Sequence, residues 1–277
     1  MPEGSECRVV ADAIAFNGIG KYFTQSLIVE NIAGILHRYS KKAPKNWDVI
    51  QDGFTLHGVK TKGKLIHLDI DKNSQSWVLL CTLGMSGDFR WNSRNHRHCR
   101  YSFISTNEDL SFIDMRCFGT LRIVTPKEAK LLESKIGWDM LQAPMPEDDW
   151  TKLRINSNLM VEELADFLLS QKYISGIGNI YRAETLYRTG LHPKLKLMQV
   201  SPEKWQELNI TMHEVLQAAY KLNGCSVSDF TANGVEGRAQ QLLQVYGKSQ
   251  CSKGHVIQTL KQNERTIWFC SICQPLA

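Results

Sequence analysis

Three cysteines and a histidine fall within the 23 residues from Cys251 to Cys273, arranged as Cys251-x3-His255, fourteen residues, then Cys270-x2-Cys273. Two closely spaced ligand pairs separated by β-type residues are what a tetrahedral zinc at the base of a hairpin requires. No other stretch constrains the fold as tightly, because a metal held this way pins both ends of the intervening chain. Four protein ligands leave no open coordination position, so the expected Zn2+ is structural, one per chain. Chance pairing of free thiols is the competing reading, and a histidine among three clustered cysteines argues against it. The hairpin would present Lys261 and Arg265. The other five cysteines, Cys7, Cys81, Cys99, Cys117 and Cys225, are scattered. That distribution fits a reducing compartment with one metal site better than a disulfide framework.

The rest of the chain reads as two domains or one large one, an ordinary globular composition of 277 residues with 43% hydrophobic and 22% charged residues. No apolar run reaches membrane-spanning length, and the acidic start lacks the apolar core of a signal peptide, so the expected setting is intracellular, nuclear or cytoplasmic. A net charge of +5 permits a polyanionic partner without proving one. Residues 3–16 read as a helix with Val9, Val10, Ala13 and Ile14 at helical spacing and Gly18 and Gly20 as stops. From about Ser26 to Val124 short β-type runs alternate with turn residues, which predicts an antiparallel sandwich or barrel. A short helix follows, with Thr125 as N-cap, Pro126 at its first position and Gly137 past its end. Residues 143–149 read as a linker or domain boundary. Helices are predicted over 159–170, 180–189 and 202–222, the last capped by Ser201. The fold class is α+β, with domains expected at 1–143, 144–245 and 246–277.

Three stretches could carry chemistry. Met1-Pro2-Glu3-Gly4-Ser5-Glu6 would expose a secondary amine if Met1 is removed, with a pKa of about 8 for an α-amino group and two carboxylates close by. Such an amine can attack a sugar C1′ to give an iminium, and Glu3 is placed to move protons. By themselves these residues read first as a helix N-terminus whose acids complement the macrodipole. The second stretch, Lys172 to Tyr181, is a turn between helices whose Gly176 and Gly178 allow an anion-binding nest ahead of the N-terminus of the next helix. A helical hairpin whose glycines only relieve crowding fits it equally. The third is a pair of turns, 83–87 and 114–119, where Met85, Arg116 and Phe118 could wedge into a base stack, although such residues are more commonly core. Lys64 in Lys62-Gly63-Lys64 could bind phosphate or be solvated, and 90–100 reads as a solvated hairpin loop.

Taken together and in this order, these motifs resemble the formamidopyrimidine-DNA glycosylase and endonuclease VIII (Fpg/Nei) family, over residues 2–6, 63–64, 83–87, 114–119, 172–193 and 245–274. The resemblance implies a β-sandwich domain joined to a helix-two-turns-helix domain with a β-hairpin zinc finger. It implies a bifunctional glycosylase and abasic-site lyase of base excision repair, in which mature Pro2 attacks C1′ and Glu3 transfers protons. The Schiff base then drives β,δ-elimination, and Glu6 helps to order the terminus. Lys64, Asn179 and Arg265 match the family's phosphate-binding positions, with Lys172 beside them, and Met85, Arg116 and Phe118 match its void-filling triad. His255 replaces the usual fourth cysteine, which is similar to the vertebrate Nei-like type-two subgroup and favours oxidised pyrimidines, hydantoins and abasic sites in single-stranded, bubble or duplex DNA. Asp114-Met115-Arg116 replaces an Asp-Pro-Arg, and the loop from Gly224 through Asp229 to Gln244 is slightly shorter than the family's lesion loop, which bears on 8-oxoguanine. A monomer is expected. Two alternatives stand beside this reading: a non-catalytic zinc-containing DNA-binding protein, and within the family a purine-preferring enzyme.

Overall fold

The computed structural model describes residues 2–29, 43–226, 231, 234–263 and 265–276. The chain divides into two compact units, residues 1–135 with 222–240, and residues 136–221 with 241–277.

The first unit opens with α1 (Gly4–Gly18), whose buried stripe is Cys7, Val10, Ala11 and Ile14. The helix runs two residues past Phe16, and the chain leaves it through Gly20 at a φ of +85° that favours glycine. Then come β1 (Tyr22–Phe23), β2 (Gln25–Ile28), α2 (Asp48–Gln51), β3 (Phe54–Lys62), β4 (Leu65–Lys72) and β5 (Gln75–Thr82). They are followed by β6 (Gly87–Trp91), β7 (Cys99–Ile104), β8 (Asp109–Asp114), β9 (Thr120–Val124) and α3 (Pro126–Glu133). The strands pair antiparallel in two sheets, ordered β1-β3-β4-β5-β9 and β2-β7-β8-β6.

The predicted sandwich is therefore present, and its core is formed by alternate residues of each strand. Leu56, Leu68 and Leu79 of one sheet cluster with Phe89, Phe103 and Phe112 of the other, and the α1 stripe joins them. The opposite face of the first sheet is also covered, since Val78, Leu80 and Val124 pack on Ala129 and Leu132 of α3. That explains why 77–81 reads as an unbroken apolar run instead of an alternating one. Helix α3 starts as predicted, with Thr125 and Glu128 in a reciprocal capping box. It stops at Glu133, not at Gly137. Glycine is needed at 137 because a Cβ there would lie 2.2 Å from the carbonyl carbon of Tyr173.

The second unit holds β10 (Trp138–Asp139), α4 (Glu147–Arg154), α5 (Leu164–Phe167), β11 (Ile174–Ser175), α6 (Asn179–Thr189), α7 (Pro202–Lys221), β12 (Gln258–Gln262) and β13 (Arg265–Phe269). Two expectations fail here. The supposed linker at 143–149 runs into α4, whose first turn is Glu147, Asp148 and Asp149 and whose last turn carries Lys152 and Arg154, charges ordered to suit the helix dipole. Its one buried residue, Trp150, stacks on Trp205 at 4.1 Å, and each indole N–H donates to the other's backbone carbonyl. The predicted helix over 159–170 shrinks to the single turn of α5. The backbone around its start instead bonds a distant segment that includes a 3-10 turn at Leu197–Gln199, through Leu164 N to Leu195 O, Leu197 N to Glu162 O and Met198 N to Met160 O. Long-range pairing overrides local propensity there. Helix α6 closes on Gly190 in the left-handed conformation, and the Ser201 hydroxyl accepts from Lys204 N at the head of α7.

Candidate functional site

At the head of α1, Pro2 and Glu3 are buried, and Met1 lies outside the described residues. Buried Glu6 uses both carboxylate oxygens on backbone amides: Oε2 accepts from Glu3 N at 2.8 Å and Oε1 from Cys225 N at 2.7 Å. The first bond orders the terminus. The second ties it to the neck of a loop formed more than 200 residues later. At the neck, Gly224 has a φ of +74°, and a Cβ there would sit 2.7 Å from both Cγ and Oε1 of Glu6. Gly224→Ala is therefore expected to lower stability by about 1–3 kcal/mol, from a strained backbone dihedral and a displaced buried carboxylate. Denaturant unfolding checks it; an unchanged midpoint would show that the neck does not pack on Glu6. The β3–β4 turn brings Lys64 to the same helix, its carbonyl accepting from the Cys7 thiol at 3.6 Å.

The two turns in question pack against each other. Asp114, fully buried, accepts from Ser86 Oγ at 2.7 Å and from Gly119 N at 2.7 Å, and Ser86 Oγ accepts from Arg116 N at 3.0 Å. A Cβ on Gly84 would fall 2.5 Å from the Phe118 carbonyl carbon, so the turns meet backbone to backbone. Met85 is half-buried and Arg116 exposed. Phe118 is 52% exposed and Met115 40% exposed, which rules out the core reading for Phe118 and adds Met115 to the exposed tip. Phe118→Ala is expected to cut activity on duplex DNA more than on single strands, because only a duplex leaves a stack to fill. Parallel activity measurements decide it, with equal losses counting against a wedge.

In the second unit the turn before α6 is shaped from within. Gly176, at φ +96°, donates its amide to Gln171 Oε1, and Gln171 Nε2 donates to Ile177 O. Lys172 is exposed, its ammonium 5.1 Å over its neighbour Tyr173. Asn179 is joined to the hairpin instead: its Nδ2 donates to Thr266 O at 3.0 Å, next to exposed Arg265, while its Oδ1 accepts from Arg182.

The ligand atoms of Cys251, His255, Cys270 and Cys273 all lie within 4.8 Å of one another. His255 Nδ1 is 3.3 Å from Cys273 Sγ and 3.7 Å from Cys270 Sγ. Zn–S bonds of about 2.3 Å in a tetrahedron place ligands about 3.8 Å apart, so three thiols and an imidazole at these distances fit such an ion. Burial pushes the Cys251 thiol up, but hydrogen bonds from Tyr187, Lys253 and His255 outweigh it and bring the group down to about 6, in favour of the ligating thiolate. By contrast, burial raises the Cys81 thiol well above its usual range and takes Cys99 up to about 11. All eight cysteines are unbridged.

Sequence reasoning missed Glu184. It is buried on α6 and accepts from the amides of Gln244, Val245 and Tyr246, so it fixes the chain where it enters the finger. Its signal was a carboxylate on the face of a helix otherwise buried almost throughout.

The chain combines a β-sandwich headed by an ordered Pro-Glu terminus with a helical unit bearing a Cys3His hairpin, and comparison with known proteins shows the class of DNA-processing enzyme to which that combination belongs. The N-terminal domain of formamidopyrimidine-DNA glycosylase matches residues 1–121, and the H2TH domain of that glycosylase matches residues 143–231. The formamidopyrimidine-DNA glycosylase of Lactococcus lactis subsp. lactis is 31% identical over 232 residues, 80% of this chain and 82% of the relative. That of Shewanella amazonensis is 30% identical over 288 residues, 99% of each. The solved Lactococcus lactis enzyme in complex with DNA containing an oxidised pyrimidine superposes with a TM-score of 0.84 at 26% identity, covering 99% of this chain and all of that one. The chain belongs to the formamidopyrimidine-DNA glycosylase family.

Proposed function

We propose that this protein, a DNA glycosylase with abasic-site lyase activity acting on damaged DNA, excises oxidised bases, mainly pyrimidines and hydantoins, through an amine on mature Pro2. The observation that carries the reading is the buried Pro2-Glu3 pair held by Glu6 through the Glu3 amide. A terminus fixed in this way has its entropy of positioning settled before substrate arrives. The Pro2 nitrogen attacks C1′, the glycosidic bond breaks, and Glu3 supplies the proton that opens the sugar ring. The resulting iminium withdraws electrons from C2′, whose proton is lost as the C3′–O bond breaks; a second elimination breaks the C5′–O bond. Phosphates are left at both ends of the gap.

Lys64, Lys172, Asn179 and Arg265 would hold the backbone, which sets register without reading sequence. Met85, Arg116 and Phe118 would fill the space left by the extruded base. The Cys251, His255, Cys270 and Cys273 group would bind one Zn2+, whose contribution is to fold the hairpin; the bond from Asn179 to Thr266 then places that hairpin beside α6.

The pyrimidine preference rests on His255, the departure that resembles the vertebrate Nei-like type-two subgroup. The shortened loop also bears on it, but its central residues 227–230, including Asp229, lie outside the described residues. The names of the relatives favour a second reading, a formamidopyrimidine or 8-oxoguanine preference. Single-turnover excision from otherwise identical duplex and bubble oligonucleotides separates the two. Faster release of 5-hydroxyuracil and hydantoins, most of all from bubbles, supports the first, whereas faster release of 8-oxoguanine or formamidopyrimidine replaces it with the second.

A further inference from the structure

Gln262 closes the β12–β13 hairpin opposite Arg265, and its amide reaches out of the hairpin to two acids at the head of α5. Its Nε2 donates to Glu163 Oε2 and to Asp166 Oδ2, each at 2.7 Å. Beside it Asn263, at a φ of +46°, donates Nδ2 to Asp166 Oδ1 at 2.8 Å. A carboxylate only accepts, so the Gln262 amide turns its NH2 to the acids, and its own Oε1 is buried without a partner among the described residues. An amide that gives up its acceptor in this way is held for its donors.

Residues directly opposite each other in an antiparallel ladder point to the same face, with Cβ atoms about 5 Å apart. The Gln262 side chain points to Glu163 and Asp166, so Arg265 leaves β13 on the face that looks toward the same two acids. A guanidinium is the fork-shaped partner that a carboxylate takes up most strongly. Yet Arg265 is exposed and pairs with neither acid, while three of the four carboxylate oxygens are taken by Gln262 and Asn263. The strand on the other side of Arg265 is fixed independently, since Thr266 O accepts from Asn179.

We propose that Gln262 is a positioning residue for DNA binding: by occupying Glu163 and Asp166 it keeps Arg265 from pairing with them and leaves the guanidinium free for a backbone phosphate. The inference rests on the reading of Arg265 as a phosphate contact given above. Without the shield, two carboxylates of the protein compete with phosphate for the same cation.

The test is a binding titration at several salt concentrations, with the full-length, zinc-loaded protein and a duplex bearing one reduced abasic site. That site cannot form a Schiff base, so the titration reads binding alone. Gln262→Met keeps the length of the side chain and removes both donors. It should weaken binding about tenfold and make the slope of log K against log salt shallower by about one, the loss of one phosphate contact. Adding Glu163→Gln and Asp166→Asn to that variant should restore the wild-type slope, because the competitors for Arg265 are gone; the same additions in an Arg265→Ala background should restore none of it. An unchanged slope in Gln262→Met, a loss that replacing the acids does not reverse, or loss of zinc from Gln262→Met overturns the shield and leaves Gln262 as a structural tie. Arg265→Ala alone probes the reading beneath: a wild-type slope there would show that Arg265 meets no phosphate, and would remove that reading and the inference with it.

Discussion

Glu3→Gln is expected to slow base excision by about 10²–10⁴-fold, the range for losing a positioned general acid or base, while leaving DNA binding largely intact. The substitution is isosteric: the Glu3 backbone amide still donates to Glu6, and the amide oxygen of Gln can still accept from the Glu6 backbone N–H in the reciprocal capping box of α1. The helix and the buried position of residue 3 should survive. What is lost is the ability to deliver and retrieve a proton beside the amine, at a site removed from bulk water. The phosphate contacts proposed above lie on other residues, so affinity and its salt dependence should follow wild type. Single-turnover excision alongside a binding titration makes the check. Undiminished excision would remove Glu3 from the chemistry, and a matching loss of binding would show that the substitution damaged the fold.

Removing zinc, or replacing His255 with Ala, should unfold the hairpin of β12 and β13 and abolish activity on intact lesions. A two-stranded hairpin is at best marginal in water by itself, whereas structural zinc contributes on the order of 10 kcal/mol in finger peptides. The local core offers little to replace it, since Cys251 and Cys270 are themselves members of the small cluster with Val245, Ala183 and Tyr187. Loss of the hairpin takes away the Thr266 carbonyl that engages Asn179 and moves Arg265 from its place beside it. Faster hydrogen exchange across 255–270, one zinc lost per chain and weakened DNA binding should appear together. Unchanged zinc content and activity in His255→Ala would mean that a different residue completes the site.

Signals that depend on a few neighbouring residues were readable in the chain. The ligand spacing of the finger, the Thr125-Pro126 cap and the β-type runs of the sandwich are set within one or two turns of sequence, where local chemistry decides; the stripe of α1 was half legible, with Val10 and Ile14 buried as expected but Cys7 and Ala11 in place of Val9 and Ala13. Helix α4 was hidden because it has one buried residue, Trp150, and so no periodic stripe; only its charge order marked it. The segment 159–163 was misread because its partners, Leu195 to Met198, lie more than 30 residues on. Phe118 could not be assigned from composition, since an apolar residue at a turn has the same spelling whether buried or exposed; the short distance between Gly84 and the 118–119 backbone is what turns it outward. The return of 222–240 to the first unit, and with it the double use of Glu6, left no local trace.

The central claim is a covalent one, that an amine on mature Pro2 forms a Schiff base with C1′. Borohydride trapping of the purified, zinc-loaded protein on an oligonucleotide with one abasic site tests it most directly, beside a form whose N-terminus is blocked by an added tag. The account predicts a reduced protein–DNA adduct with the free terminus and none with the blocked one. An adduct of equal yield from the blocked form would place the nucleophile on another residue, and no adduct from the processed, folded protein would contradict the amine mechanism altogether.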